Sequence, residues 1–351
     1  MFAPVTHITP LTTVRRTRLL PVPGDVLVRT GQTVRATEVI ATAITSPKHV
    51  MINVARGLGL SEDEADQYIE RYVEEEVVAG DVIATRSGIG KRIVRSPVEG
   101  TIKLITAGQV LVQVKNEPIE LRAGFPGTVV ELIHERGAVI SATGALVQGV
   151  WGNGKINFGL LNVLADSPDH VLSPDQVNVG VRGAVIMAGH CDQAKTLQNG
   201  AENRIRGLIL GSLAPELVSR AARMPYPIVV IDGFYRLPMN EVAYKLLSTN
   251  NQRDVALNAE AFQPLKNSRP EILIPLPGGE DSDVSLANNV LSPGQRVRIV
   301  RAPHRGKIAT IEAILPNIIF FPNGLRAPGA RLRLENGDSI QAPLANLEII
   351  Y

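Results

Sequence analysis

Three short segments near the middle of the chain carry side chains that could do chemistry. The first is Gly189-His190-Cys191-Asp192, the second contains Ser212, and the third is Asp232-Gly233. A histidine can activate a nearby cysteine as a nucleophile, because the thiolate is the reactive form of the side chain. A serine ahead of a helix N-terminus can help to hold an anion. The sequence therefore predicts a candidate ligand site that consists of His190, Cys191, Asp192, Ser212, Asp232 and Gly233.

The same residues also have a purely structural interpretation. Asp192 and Ser212 are good helix N-caps, and Asp232-Gly233 is a good turn. His190 and Cys191 are adjacent, so their side chains point to opposite sides of an extended backbone and do not form a catalytic pair by spacing alone. The chain contains neither a GxGxxG nor a GxxxxGK[ST] phosphate-binding motif. We therefore assign no catalytic residue from the sequence.

A second group of candidates is basic and lies between Leu291 and Tyr351. This segment holds eight Lys or Arg residues against four Asp or Glu residues, a formal charge of +4. Arg296 and Arg298 alternate with apolar residues, so both should leave the same face of a strand, opposite the core. Such a face is suited to nucleic acid or to a protein partner, and the scarcity of aromatic residues favours the protein. The candidate face consists of Arg296, Arg298, Arg305, Lys307, Arg331 and Arg333.

The elements that must position the first group alternate between strand and helix patterns. Short apolar runs predict strands, and the segments between them have the length and composition of helices. This alternation predicts a Rossmann-like parallel α/β domain over residues 178–262, in which the strand ends meet at one edge. The predicted strands are 184–189, 207–211, 227–232 and 254–258, and the predicted helices are 192–204, 214–223 and 239–248.

Residues 15–165 are rich in Val, Ile and Thr in short runs broken by Gly and Pro, a pattern typical of β structure. Gly80-Asp81-Val82-Ile83-Ala84 and Pro97-Val98-Glu99-Gly100-Thr101-Ile102 resemble the two halves of biotinyl and lipoyl carrier domains. The resemblance implies a barrel-sandwich hybrid over 15–165. Ser61 and Glu64 form a capping-box pattern, which predicts a helical insertion near 61–76.

In those carriers, the modified lysine lies on a hairpin between the two halves. Lys91 lies near that position, and Lys48 follows another partial motif, but neither has the flanking residues by which carriers are recognised. We therefore expect both lysines to be unmodified and the protein to use no cofactor.

The C-terminal segment 289–351 resembles the KOW motif, which opens small SH3-like barrels. The resemblance lies in Ser292-Pro293-Gly294-Gln295-Arg296-Val297 and in the glycine that starts the next strand, Gly306. Ala309 departs from the family pattern, where a second glycine is common. Between this barrel and the α/β domain, the Pro-, Gly- and acid-rich residues 263–288 predict a linker.

Composition sets outer limits on the function. The single cysteine excludes an intrachain disulfide and a cysteine-rich zinc site, and we expect no metal. No apolar run reaches the length of a membrane span, and the N-terminus lacks a signal-peptide pattern. The formal net charge of +2 on 351 residues does not indicate a partner. We expect a cytoplasmic protein.

Together these patterns predict a multidomain protein that is mainly β, with one α/β domain. The preferred hypothesis is a non-catalytic intracellular binding or scaffold protein with a KOW-type barrel and a protein partner. One alternative is a factor associated with RNA, the ribosome or a polymerase. The other is a ligand-binding protein or an enzyme that uses the ends of the α/β strands.

Overall fold

The protein is mainly β, as expected from the sequence. The computed structural model describes residues 5–45, 47–88, 90–115, 118–261, 269–277 and 290–350. No helix in these ranges is long and apolar enough to cross a membrane.

The strands of the first third of the chain are β1 (Val5–Thr6), β2 (Ile8–Leu19), β3 (Asp25–Val26), β4 (Thr33–Val34), β5 (Val39–Ala43), β6 (His49–Asn53), β7 (Glu76–Val77), β8 (Val82–Arg86), β9 (Arg92–Arg95), β10 (Gly100–Thr106), β11 (Gln109–Val114) and β12 (Ile119–Arg122). The middle of the chain contributes β13 (Gly127–Ile133), β14 (Gly137–Gln148), β15 (Trp151–Gly152), β16 (Ile156–Val163), β17 (Ala184–Cys191), β18 (Gly207–Leu213), β19 (Ile228–Phe234), β20 (Asp254–Asn258) and β21 (Glu271–Pro275). The C-terminal strands are β22 (Arg296–Ile299), β23 (Ile308–Phe320), β24 (Arg326–Leu334), β25 (Ser339–Pro343) and β26 (Leu347–Ile350). The α-helices are α1 (Val54–Leu58), α2 (Glu62–Ala65), α3 (Ala194–Glu202), α4 (Val218–Ala221) and α5 (Glu241–Ser248).

The chain forms two compact units. The smaller unit contains residues 20–26 and 41–121, and the larger contains residues 1–19, 27–40 and 122–351. In the smaller unit, a four-stranded sheet has the order β6-β11-β10-β7, and β8 pairs with β9 in a separate hairpin. Its core is made of aliphatic side chains from these strands and from α1, among them Leu58, Ile83, Ile102 and Val110.

The helix predicted near 61–76 is much shorter in the structure. Helix α2 ends at Ala65 and is followed by a 3₁₀ turn over Asp66–Tyr68. Beyond it the backbone is extended: Ile69 bridges Ala84, and Glu74 has a left-handed conformation with φ of 70°. Tyr72, within the predicted helix, is 77% exposed. The helical prediction is therefore wrong beyond Tyr68, because this segment must turn to deliver β7 to its sheet.

The larger unit contains an eleven-stranded sheet with four parallel strands near one end. Strands β16, β17, β18 and β19 are parallel neighbours in sequence order, and β20 and β21 continue the sheet antiparallel. The prediction of a parallel sheet is therefore wrong at 254–258, because β20 runs antiparallel to β16. Helix α5 packs on one face through Ala243 and Leu247, and α3 and α4 pack on the other through Leu197 and Ala221. The nearly continuous apolar strands reflect this, since both of their faces are covered.

Strand β21 lies inside the predicted linker 263–288. It pairs with both β14 and β20, and its first four residues are buried. Residues 271–275 are therefore part of the sheet rather than a linker. Residues 263–268 and 278–288 of the predicted linker lie outside the described residues. The described residues 269–270 and 276–277 flank the strand.

A separate six-stranded sheet holds the C-terminus of the larger unit, in the order β1-β26-β22-β23-β24-β25. Its buried face is aliphatic and includes Val297, Ile311, Leu332 and Ile349. The two edge strands, β1 and β25, do not pair with each other, so within the described part of the chain this sheet stays open.

Candidate functional site

The parallel strands bring the ends of β17, β18 and β19 to one edge of the sheet. In the strand register, His190 pairs with Ser212 and Ser212 pairs with Gly233. These residues are neighbours because each follows an apolar run of similar length in its own strand. Gly233 has φ of 127°, a conformation that favours glycine, and it lies next to an irregularity in the β18–β19 register.

His190 and Ser212 are hydrogen-bonded but are not arranged as a nucleophile and its base. His190 Nδ1 lies 2.9 Å from Ser212 Oγ. The Ser212 hydroxyl donates to the Leu237 carbonyl at 2.6 Å and accepts from the Leu237 amide at 3.2 Å. Because its one proton is used in this way, Ser212 accepts from His190, which makes Nδ1 the protonated nitrogen. The histidine therefore cannot take the serine proton through that nitrogen, as a general base would.

Cys191 lies on the opposite side of β17, packed in the apolar layer beneath α3. Its side chain is fully buried, and burial raises the pKa of the thiol to about 11. The thiol therefore stays protonated near neutral pH, and a protonated thiol is a poor nucleophile. Asp192, the next residue, is exposed and lies just before α3, whose N-cap position is occupied by Gln193.

Asp232 belongs to a buried ion-pair network that reaches the C-terminal sheet. Its side chain is only 5% exposed and forms an ion pair with Arg298 of β22. Arg298 also binds Glu348 of β26, with Nε 3.0 Å from Oε2, and Arg269 lies 3.1 Å from the same carboxylate. The backbone amide of Asn240 donates to Asp232 Oδ2 at 2.8 Å.

Burial and the neighbouring arginine charges shift the pKa values of Asp232 and Glu348 in opposite directions. Burial raises the pKa of Asp232, against the attraction of Arg298. Burial also acts to raise the pKa of Glu348, but the charges of Arg298 and Arg269 outweigh it and lower that pKa. Two arginines thus face two carboxylates, and the network is close to neutral as a whole.

Arg298 does not belong to an exposed basic face, and the sequence prediction is wrong at this residue. It does leave β22 on the side opposite Val297 and Ile299, as the alternation requires. That side of the sheet is covered at this point, so Arg298 is 4% exposed. A partial signal was present in the sequence: Glu348 is the single charge in the otherwise apolar strand β26, a pattern typical of a buried charge that needs a partner.

Three of the other predicted basic residues lie on the exposed side of the C-terminal sheet. Arg296 pairs with Thr310 on β23, Thr310 with Arg333 on β24, and Arg333 with Ser339 on β25, so these four side chains form one row. Arg331 is two residues from Arg333 on the same side and is also exposed. The exposed row is the set Arg296, Thr310, Arg331, Arg333 and Ser339. The row includes counter-charges, because Arg333 binds Glu312 at 2.5 Å and Arg296 binds Glu335 at 3.4 Å.

Arg305 and Lys307 are separate from this row. Both line a cleft of about 370 Å³ in the larger unit, between the loop before α5 and the C-terminal sheet. The Arg305 guanidinium lies 5.4 Å from the ring centre of Tyr235, close enough for a cation–π contact. The other residues around the cleft are Pro168, Pro238, Met239, Asn240, Glu241, Gly306, Ile308, Leu334, Glu335 and Asn336.

The end of the β23–β24 hairpin carries exposed apolar side chains. Phe320 is 70% exposed, and the Arg326 guanidinium lies 4.6 Å from its ring centre. Ile318, on the same strand two residues earlier, is 59% exposed. Both side chains are exposed because this part of the hairpin extends beyond the residues that pair with β22 and β25.

Metal and cofactor positions are not evident in the part of the chain that is described. No group of three or more His, Cys, Asp or Glu side chains there could hold a metal ion. Lys48 and Lys91 are both exposed, on the smaller unit, and their modification state stays a prediction.

Comparisons with known proteins do not identify a family for this chain. No protein-family model matches it, and no curated protein matches it. Among solved structures it is similar to S-adenosylmethionine:2-dimethylmenaquinone methyltransferase from Geobacillus kaustophilus HTA426, with 12% sequence identity and a TM-score of 0.26. The similarity covers 38% of this chain and 89% of that one. A similarity this weak supports neither a shared fold nor a shared function.

Proposed function

We propose that this protein is a non-catalytic binding or scaffold protein. One observation carries the proposal: three of the candidate side chains, those of Ser212, Cys191 and Asp232, are buried and already satisfied by the protein. The Ser212 proton is held by a carbonyl group, the Cys191 thiol is buried and protonated, and Asp232 is paired with Arg298. This arrangement also disfavours the alternative of a ligand or enzyme site at the ends of the α/β strands.

The proposal includes the domain types and the location inferred from the sequence. We propose a Rossmann-like α/β domain for 178–262, supported by the three parallel strands β17, β18 and β19 with helices on both faces. We propose a KOW-type SH3-like barrel for 289–351, supported by five consecutive strands that pair antiparallel. For 15–165 we propose a barrel-sandwich hybrid without a biotinyl or lipoyl group. We propose a cytoplasmic location, which a fractionation of the native cells can test.

A protein partner fits the exposed row of the C-terminal sheet better than a polyanion does. Arg296, Arg331 and Arg333 supply positive charge, while Glu312 and Glu335 neutralise part of it. A mixed pattern of paired charges is suited to a complementary protein surface, where charges determine orientation and association rate.

RNA is the second candidate, and a specific observation favours it. Phe320 is exposed and contacts Arg326, and exposed aromatic and guanidinium groups are platforms on which unpaired bases stack. This alternative includes association with a ribosome or a polymerase through RNA.

The first experiment compares partner retention by two charge-reversal variants. Native complexes are cross-linked and quantified for the wild type, for Arg331→Glu/Arg333→Glu and for the control Arg182→Glu, an exposed arginine elsewhere in the larger unit. We expect the double variant to lose the partner that the wild type and the control keep. Equal retention by all three would contradict the assignment of the partner surface to this row.

An RNA titration separates the two candidates. For a single strand, each phosphate contact steepens the decrease of log affinity with log salt concentration by about 0.7. If RNA is the partner, binding should weaken steeply with salt and Phe320→Ala should reduce it. Absent or salt-independent binding would remove RNA and leave the protein partner.

A further inference from the structure

We propose that the cleft between the loop before α5 and the C-terminal sheet is a binding site for a small phosphate-bearing molecule. The inference is independent of the partner surface proposed above, since Arg305 and Lys307 are not part of the exposed row. The cleft volume of about 370 Å³ is within the range of small-molecule sites, which begins at roughly 300 Å³.

Two cationic side chains make one wall of the cleft suitable for an anion. Arg305 and Lys307 come from the loop between β22 and β23, two residues apart, and both are exposed. Arg305 is held on one side by the Tyr235 ring, which limits its freedom before a ligand arrives. Neither cation takes part in the buried network of Arg298, so their charges are available to a ligand.

The N-terminus of α5 also lines the cleft, and its cap leaves a hydrogen-bond donor unused. Asn240 Oδ1 accepts from the Val242 amide at 2.9 Å and from the Ala243 amide at 3.4 Å. The oxygen of the planar carboxamide therefore faces the helix, and the nitrogen faces away from it. Among the described residues, Asn240 Nδ2 is buried without a hydrogen-bond partner, and the residue is only 4% exposed.

A buried amide donor without an acceptor is destabilising, so native structures rarely keep one without a reason. A ligand oxygen that reached Asn240 Nδ2 would supply the missing acceptor. The positive end of the α5 dipole also favours an anion at this position. An unpartnered donor, a helix N-terminus and two cations around one cavity are the elements of a phosphate site.

The remaining polar groups indicate what the phosphate is attached to. Glu241 and Glu335 also line the cleft, and their carboxylates would repel a second anionic group. Hydroxyl groups are the ligand groups that carboxylates and amides can bind without charge repulsion. The geometry therefore fits a phosphorylated and hydroxyl-rich molecule, such as a sugar phosphate, better than a bare polyanion.

Calorimetric titration of the full chain with ribose 5-phosphate, inorganic phosphate and ribose tests the proposal. We expect saturable binding of ribose 5-phosphate, weaker binding of inorganic phosphate, and no measurable binding of ribose. A 5′-phosphorylated oligonucleotide serves as a further arm. Binding of the oligonucleotide without binding of either small phosphate would overturn the proposal, as would no binding of any phosphate.

Three variants locate the binding site. Arg305→Gln/Lys307→Gln should weaken ribose 5-phosphate binding by about tenfold or more, since it removes charge-assisted hydrogen bonds. Asn240→Ser removes the unused donor but keeps a good helix N-cap, so binding should weaken while the unfolding midpoint without ligand changes little. The control Arg301→Gln changes an exposed arginine of the same loop that does not line the cleft. Equal affinity in all variants would contradict the site, and equal loss in the control would show a general charge effect instead.

Discussion

The hydroxyl proton of Ser212 determines what the side chains around it can do. It is donated to the Leu237 carbonyl, so His190 must act as a donor to the serine rather than as its base. This pairing orders the loop that follows β19, because the same serine oxygen also binds the Leu237 amide. At the scale of single residues, the side chains at the strand ends therefore hold the loop after β19 in place.

The reactivity of Cys191 tests this view directly. We expect the native protein to react with a thiol reagent at pH 8 far more slowly than the protein unfolded in urea, since the thiol is buried with a pKa of about 11. The chain has one cysteine, so the measured signal belongs to this residue alone. Rapid modification of the native protein would contradict the assignment of an inert thiol.

Two buried histidines make stability depend on pH. Burial lowers the pKa of His7 and of His190 from their ordinary value of 6.5, so folding favours their neutral forms. Their contribution to stability is therefore complete above pH 6.5 and is lost as the pH falls towards their folded pKa values. We expect the free energy of unfolding in urea to be lower at about pH 5.5 than at about pH 7.5.

His190→Asn provides the matched variant for this measurement. The asparagine amide can still donate to Ser212, but it does not titrate. The variant should show a smaller decrease in the free energy of unfolding between the two pH values than the wild type. An identical decrease would assign the pH dependence to other groups.

At the scale of elements, glycines allow the loops to pass close to the parallel strands. A Cβ atom at Gly189 of β17 would lie 2.4 Å from the His170 carbonyl oxygen and 2.8 Å from that of Pro168. Both contacts are with backbone, so the loop before β17 would have to move. We expect Gly189→Ala to lower the free energy of unfolding by about 1–3 kcal/mol in urea titrations, a typical cost of overpacking.

Gly180→Ala is the control for that substitution. Its Cβ atom would have a single close contact, at 3.1 Å with the Asn178 side chain, and the loss of stability should be clearly smaller. Equal losses at the two positions would mean that the close approach at Gly189 does not determine the effect.

The sequence predicts elements well where a local pattern is sufficient. The apolar runs place β17, β18, β19 and β20 within a few residues, because each is a short buried segment between turns or helices. It fails where long-range pairing decides the structure. The Pro- and Gly-rich surroundings of β21 hide a strand that is fixed only by its partners β14 and β20.

The same limit applies to the candidate site. The sequence assigned Asp232 to a ligand site and Arg298 to a basic face, and nothing local connects two residues 66 positions apart. Their pairing depends on how the α/β strands and the C-terminal sheet pack within the larger unit. Asp232 is an isolated charge in the apolar strand β19, which locally indicates a buried partner, whereas Arg298 shares β22 with Arg296 and gives no such indication.

At the scale of the whole molecule, this network joins two sheets of the larger unit. Arg298 binds Asp232 at the end of β19 and Glu348 on β26, and Arg269 also binds Glu348. A buried charge that loses its partner destabilises a protein strongly, because the remaining charge is left without compensation. The network therefore holds the C-terminal sheet in place. The exposed row lies on this sheet, and the sheet forms part of the cleft.

A double-mutant cycle on Asp232 and Arg298 tests this central claim most directly. The free energy of unfolding is measured for the wild type, Asp232→Asn, Arg298→Met and the double variant, with a second cycle on the exposed pair Arg296 and Glu335 as the control. We expect a coupling energy of about 1–3 kcal/mol for the buried pair and about 0–1 kcal/mol for the exposed pair. A coupling energy near zero for Asp232 and Arg298 would mean that they are not joined, and would contradict the structural role assigned to both.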